Sequence, residues 1–389
     1  MLRIKYLLPL ILILLLSFTL IGDCWVAGYD QRIKLTTDHT KIDDTLTNFP
    51  VTAFFTAAQA EEIFAEFDAD EDFDRGQFAL GDDTLLKAEK ELFDHSESLG
   101  IYHFKSTELS PSAGTDIYFY YDNDADHNTS YIGIIGSATA AEVWDEWFSL
   151  VVHGVDNTTS SVLDSTSTNN DVTKSGANAP LEVTGKVGKG QDFERNSGHY
   201  ATIGAAARLI PQKDITVTVC IKPETITHET IHATIYVQND NSVLGYVEHS
   251  YYINRAEGKP FYSNYLRDDG YLSANTALTI NEWEHIGFTR STNTLTHYKA
   301  GVADGSGTVG TCTVTEDIDN TLMGARYYDG AAAHEFDGIM DEMRVSDIVR
   351  SAAWIKATYN SLWDTLLTYG SEETAEAPVT NIMFMFSNF

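Results

Sequence analysis

The chain has 389 residues, enough for two or three domains with substantial cores. Its 57 acidic residues against 25 basic ones give a formal net charge of −32, which excludes nucleic acid as a partner class because phosphate binding needs clustered Lys and Arg. An aromatic content of 12% with only 8 prolines excludes a disordered chain and points to a folded, β-rich one. Such acidity fits a protein exposed to high salt, and it favours divalent cations as partners.

In chain order, "MLRIKYLLPLILILLLSFTLIG" places early positive charges before an apolar run from Leu7 to Gly22. This predicts a signal peptide over residues 1–23 and a secreted or cell-surface protein. The run is slightly short of the about 20 residues a spanning helix needs, so an uncleaved anchor is the alternative to a cleaved signal, and no membrane association is expected beyond that segment. Cys220 and Cys312 lie 92 residues apart, a spacing that does not by itself show a disulfide, and Cys220 reads as a buried thiol.

Short β-branched and aromatic runs then recur between Gly, Asn, Asp and Ser clusters, among them "QRIKLTT", "FPVTAFF", "GIYHFKS", "TDIYFYY", "DITVTVCIKP" and "DEMRVSD". The pattern predicts an all-β protein of two β-sandwich modules. Two helices are expected, over 56–67 and over 351–363 with Ser351 as its cap. A boundary falls near 137–147 and another after Gly370, where a polar linker leads to the apolar tail "NIMFMFSNF" within 371–389. Such a tail could pair with a neighbouring chain, which makes self-association a candidate property.

Four ordered stretches, "GKVGKGQDFERNSGHYATIG", "ITVTVCIKP", "NEWEHIGFTRSTNTLTHYKAG" and "EFDGIMDEMRVSDIVRSAAWI", resemble the landmarks of laminin-G-like, concanavalin A-like jelly rolls over about residues 141–370. Cys220, Glu194 and Met340 stand where that family usually has Trp, Asp and Ile. Residues 25–136 resemble a small β-rich module of unknown function that often precedes such jelly rolls, through Trp25, "RIKLTTDHTKIDDTLTNFPV", "DFDRGQFAL" and "TDIYFYYDND".

The most direct enzymatic signal is His-Glu-x-x-His in "THETIHATIYV" (Thr227 to Val237). On a helix it would place both imidazoles on one zinc with the Glu activating water. Here Glu229, Ile231, Ala233, Ile235 and Val237 alternate with His228, Thr230, His232, Thr234 and Tyr236, the period of a half-buried strand. On a strand the two His backbones stand about 13 Å apart. A zinc peptidase is therefore not expected, and the His residues are assigned to a solvent-facing side.

In "HEFDGIMDE", Glu335 and Asp337 begin the Glu-x-Asp-x-Glu pattern of jelly-roll glucanases, but Ile339 and Met340 occupy the positions for the last carboxylate. Asp341 lies about 13 Å beyond Asp337, outside the about 5–9.5 Å spacing of paired glycosidase carboxylates. Asp341 shares its alternating face with Ile339, Met343 and Val345, so its carboxylate needs a partner. Backbone N–H groups of a neighbouring turn would serve. So would calcium, since jelly rolls of the resembled kind often hold a structural one, with Asp164 and Asp171 of "LDSTSTNND" as co-ligands. Glu342 and Arg344 on the other face are read as a surface ion pair. The acidic loops 68–76 and 122–128 read as solvated, and the Tyr-rich loops 248–255, 259–272 and 325–330 offer flat rings on which sugars or proteins stack.

These readings lead to a secreted, non-catalytic binding protein whose partner is an extracellular glycan or a cell-surface or matrix component. The alternatives are a structural component of a surface or particle assembly, and a glycoside hydrolase with a non-standard carboxylate site.

Overall fold

In the computed structural model, residues 25–175, 179–204, 214–227, 232–240, 246–263, 271–310, 320–328 and 331–375 are described. Residues 1–24, which include the expected signal segment, Cys312, His228 to Ile231 and the tail from 376 lie outside them. Regular structure is overwhelmingly antiparallel strand, as the alternation predicts.

Two sheets form the first module. One runs in the order Leu367–Thr374, Gln31–Thr37, Asp116–Tyr121, Gly76–Leu80, Leu85–Leu86; the other runs Leu46–Thr56, Leu99–Leu109, Ala88–Asp94, Ile132–Ile134. Phe78 stacks between them, with ring centroids 4.7 Å from both Phe104 and Phe119. The first sheet takes its edge strand from the far end of the chain. Residues 371–374, expected in a linker, continue this strand, with Glu373 pairing Arg32 at 2.6 Å and Glu372 accepting from the Tyr121 hydroxyl at 2.6 Å.

The second module is a sandwich of a nine-stranded and an eight-stranded sheet. Val217, Val219 and Ile221 of Asp214–Pro223 and Met340, Met343 and Val345 of Gly338–Ser346 pack against Tyr251, Ile253 and Tyr262 of the opposite sheet. Within the nine-stranded sheet, Ala233–Asp240 is a strand from its first residue. Both of its faces are closed: Thr234 and Tyr236 are as buried as Ile235 and Val237. The expected solvent face is absent because a bulge at Ile235 turns Tyr236 into the sandwich core, and Val237, expected in that core, packs with Leu322, Tyr200 and Tyr327 in a separate cluster. Cys220 is a free, buried thiol.

The helix Ala352–Leu362 is capped by the Ser351 hydroxyl, which accepts from the Trp354 amide at 3.1 Å. It is buried almost all round because it wedges between the modules. Trp354 meets Phe49 of the first module at 4.8 Å and carries the Arg350 guanidinium at 4.2 Å, while Arg350 forks onto Asp145 at 2.6 and 2.7 Å. Beside this helix, the outer face of the four-stranded sheet packs on the outer face of the eight-stranded one. Ile101, Phe54 and Leu92 meet Val187, Cys220 and Leu362 there.

Candidate functional site

Two β-bulges face each other across the module contact. In Ala88–Asp94 the register against Leu99–Leu109 shifts between Lys90 and Leu92, which makes Glu91 the extra residue. In Gly338–Ser346 the pairing with Asp214–Pro223 shifts between Asp341 and Arg344, and Glu342 there adopts a left-handed φ of 53°. A bulge puts consecutive residues on one face and re-aims their side chains. Met340 and Met343 thus point into the jelly-roll core while Asp341 and Glu342 both point out of it. This corrects two expectations. Asp341 does not share a face with Met343 and Val345, and Glu342 with Arg344 is not a surface pair, because the first module covers that face and leaves them 0% and 3% exposed.

The covered face holds a polar cluster. His103 pairs in register with Thr52 on one side and Glu89 on the other, so all three side chains share the outward face of their sheet. His153 follows the strand Phe148–Val152. His103 Nε2 lies 2.8 Å from Glu91 Oε2 and 3.9 Å from Glu342 Oε1. His153 Nδ1 bonds Glu342 Oε1 and lies 3.7 Å from Glu91 Oε2, and the two imidazoles stack at 4.4 Å. Arg344 clasps the other Glu342 oxygen through Nε at 2.9 Å and Nη2. Trp144 donates to Glu89 at 2.7 Å. Both histidines and Glu89, Glu91 and Glu342 are essentially fully buried.

The electrostatics follow from that burial. Desolvation, reinforced by Glu342, pushes Glu91 well above the usual carboxylate range. Desolvation opposes charge on Glu342 too, but His153 and Arg344 outweigh it and hold its pKa low. His153 is raised because Glu342 and Glu89 overcome its burial, whereas burial and the adjacent His153 lower His103.

The residues considered for calcium separate into two places. Asp164 Oδ1 accepts from the amides of Val151 and Thr166, and Oδ2 from Thr166 and Thr168 hydroxyls and the Asn170 amide. Asp171 accepts from the Asp164 amide at 3.0 Å. Five donors on one carboxylate leave it no lone pair for a cation, so Asp164 does not fit as a calcium ligand. Asp341 lies elsewhere, its Oδ2 accepting from the amides of Lys186 and Val187, both at 2.8 Å. Backbone donors of a turn therefore partner it. Asp337 is tied down by the Arg195 amide and the Thr225 hydroxyl and, like Glu335, precedes the strand instead of standing on its face. The acidic loops 68–76 and 122–128 are joined by Asp74 with His127 at 2.6 Å and by Arg75 reaching the Asn123 carbonyl.

The Tyr-rich stretches turn out to be strands whose rings converge. Tyr251 and Tyr262 point into the core, and their neighbours Tyr252 and Phe261 point away. His232 stacks on Phe261 at 5.3 Å, and Phe261 lies 5.7 Å from Tyr271, which is 74% exposed. Arg326 reaches the Tyr252 hydroxyl at 3.4 Å. His232 is thus the inner end of an aromatic row.

None of the four residues at the heart of the polar cluster except Glu342 is singled out by the sequence reading. A signal was present: His103 and His153 each sit in an apolar strand run, "GIYHFKS" and "LVVH", where an ionisable group demands a partner.

Residues 195–356 match the family described as the concanavalin A-like lectin/glucanases superfamily, and this part of the chain is concanavalin A-like. Curated proteins gave no match. Among solved structures, domain 4 of AbnA, a GH43 extracellular arabinanase from Geobacillus stearothermophilus, in complex with arabinotriose, is 18% identical over 54% of this chain and 96% of that one, with a TM-score of 0.42. The binding domain of Paraclostridial Mosquitocidal Protein 1 is 14% identical over 55% and 52%, with a TM-score of 0.44. The ligand-binding domain of botulinum neurotoxin serotype D, in complex with N-acetylneuraminic acid, is 14% identical over 55% and 50%, with a TM-score of 0.43. The match spans about half the length of each toxin domain. These likenesses concern the fold alone.

Buried histidines set a pH dependence. Burial lowers the His285 pKa to about 3, both its ring nitrogens lacking a hydrogen-bond partner among the described residues, and lowers that of His297 to about 4. Both are neutral in the fold, so between the unfolded value near 6.5 and these folded values the unfolded chain binds more protons and stability falls as pH falls. The slope is at most about 1.4 kcal/mol per pH unit per histidine. Thermal midpoints of the protein and of His285→Phe are expected to diverge on acidification from pH 7 to pH 4, the variant falling less. Parallel curves would contradict this.

Proposed function

We propose that the protein is a secreted, non-catalytic carbohydrate-binding protein that engages a cell-surface or matrix glycan through the row His232, Phe261 and Tyr271. The observation that carries this reading is the aromatic row with ring spacings of 5.3 and 5.7 Å, in which His232 and Phe261 are half-buried and the terminal Tyr271 is 74% exposed. Sugars present apolar C–H faces that stack on such rings, and an exposed Tyr combines a flat apolar body with a polar tip. Arg326, half-buried beside Tyr252, adds an N–H donor at the edge of the row. A non-catalytic role is supported by the carboxylates: Asp337 is held by two protein donors, and Glu342 is fully buried.

A glycan array followed by titration of the best ligand tests the reading. Tyr271→Ala and Phe261→Ala are each expected to weaken binding about tenfold, a loss of about 1.4 kcal/mol. Absence of binding to any glycan by the folded protein would sink the proposal. Release of reducing sugar from a bound glycan would move it to the glycosidase class.

A further inference from the structure

We propose that Glu91, His103, His153 and Glu342 bind one divalent transition-metal ion, zinc by preference, which clamps the first module to the jelly roll. One donor atom from each residue lies within 4.8 Å of the other three. A tetrahedral zinc with bonds of about 2.0–2.1 Å holds its ligand atoms about 3.3–3.4 Å apart. Separations across the cluster of 2.8, 3.7 and 3.9 Å lie on either side of that value, His153 Nδ1 and Glu342 Oε1 are closer still, and no pair exceeds 4.8 Å, so closing the site takes side-chain shifts of up to about 1 Å and a rotation of the two stacked imidazoles out of parallel.

The outer groups are those a metal-bound histidine requires. A ligating imidazole donates its remaining N–H to a carboxylate or another oxygen, which fixes its tautomer and orientation. His153 Nε2 faces Glu89 Oε2 at 3.3 Å, and His103 Nδ1 faces the Thr52 hydroxyl at 3.0 Å. Glu89 is itself positioned by the Trp144 indole, and Glu342 by Arg344. All four ligands thus have an orienting partner or a constrained backbone.

Charge points the same way. Glu89, Glu91, Asp341 and Glu342 are buried together with Arg344 as the permanent cation bonded within the group. The Oε1 atoms of Glu89 and Glu91 have no hydrogen-bond partner among the described residues. Each of these carboxylates is partnered through Oε2 alone, burying them this closely is costly, and a dication offsets two negative charges at once. The backbone is shaped for the purpose as well. Glu342 holds a left-handed conformation at a bulge, a strain of about 1–3 kcal/mol in a non-glycine residue. Gly188, at φ 48°, lies so close to Glu91 that a Cβ would overlap Glu91 Oε1.

Two nitrogen donors among four disfavour calcium and magnesium, which take oxygen ligands, and favour zinc. Four protein ligands and full burial describe a closed, structural site with no open position for substrate. Glu91 also lines a cleft of about 170 Å³ with Lys90, Ile134 and Val155, which gives the ion a route in. Two ligands come from each module, so the ion would tie the strands of 88–109 to His153 and Glu342. This inference is independent of the aromatic row.

The test uses the full mature chain, stripped with a chelator and then titrated with zinc, cobalt or calcium. About one zinc per chain is expected after dialysis, with a visible tetrahedral spectrum for cobalt and no stoichiometric calcium. Zinc should raise Tm by at least about 5 °C over the chelated protein, reversibly. Glu91→Gln and His103→Gln should lose stoichiometric zinc, whereas Asp341→Asn, which keeps all four ligands, should retain it. If the ligand variants do not fold, the metal content and Tm of the unsubstituted protein decide. A folded protein that takes up no zinc or cobalt, or whose Tm is the same with zinc and with chelator, would overturn the proposal.

Discussion

Arg344→Met is expected to destabilise the protein by about 3–5 kcal/mol, one of the largest effects of any single substitution in the chain. Arg344 is 3% exposed and supplies Glu342 with two N–H donors, and its guanidinium stacks on Trp144 at 4.9 Å. Methionine has the volume to fill the site but leaves the Glu342 carboxylate buried with His153 as its main counter-charge. Stranding one member of a buried ion pair costs far more than removing both. The double variant Arg344→Met, Glu342→Gln is therefore expected to recover most of the loss. Urea denaturation in the presence of a chelator measures both, so that only protein groups face Glu342. A loss below about 1 kcal/mol for the single variant would mean that the pair is as weak as an exposed one.

Ending the chain at Leu366 is expected to unfold the first module, although the cut lies more than 200 residues beyond it. The strand Leu367–Thr374 hydrogen-bonds along Gln31–Thr37 and buries Leu367 and Tyr369 against the aromatic core. The Tyr369 hydroxyl also accepts from the Phe54 amide at 2.8 Å, and Glu373 neutralises the buried Arg32. Removing these groups forfeits about 5 kcal/mol or more of apolar burial and hydrogen bonding and opens a sheet edge to aggregation. The expected result is a Tm lower by more than about 10 °C, or insoluble protein. A chain ending at Ala375 keeps the whole strand and is expected to match the parent. Equal midpoints for the two truncations would show that the strand does not support the module.

Much of the architecture is legible in the residues. Alternation in "DITVTVCIKP" and "TDIYFYY" marks strands, Ser351 marks a helix start, and the ordered landmarks of the second half mark a concanavalin A-like jelly roll, because each depends on neighbours within one short segment. The aromatic row was half visible: its Tyr-rich stretches were apparent, but taken as loops, since only pairing of Tyr252 with Phe261 shows that they are strands sharing a face. The polar cluster was read wrongly where it was read at all. Glu342 and Arg344 alternate as surface residues do, and no local pattern reveals that another module covers them.

The sequence by itself determined the period of each segment, and period decides which side chains lie on which face of an isolated strand. That was enough to establish an all-β protein. What tertiary structure alone decided is what each face meets. Two bulges, at Glu91 and Glu342, break the period by one residue and turn carboxylates from two modules toward each other, and a strand from the end of the chain completes the sheet at its beginning. A bulge is an extra residue relative to a partner strand, so it exists only in the pairing, and pairing between distant segments is set by the energy of the whole packed assembly.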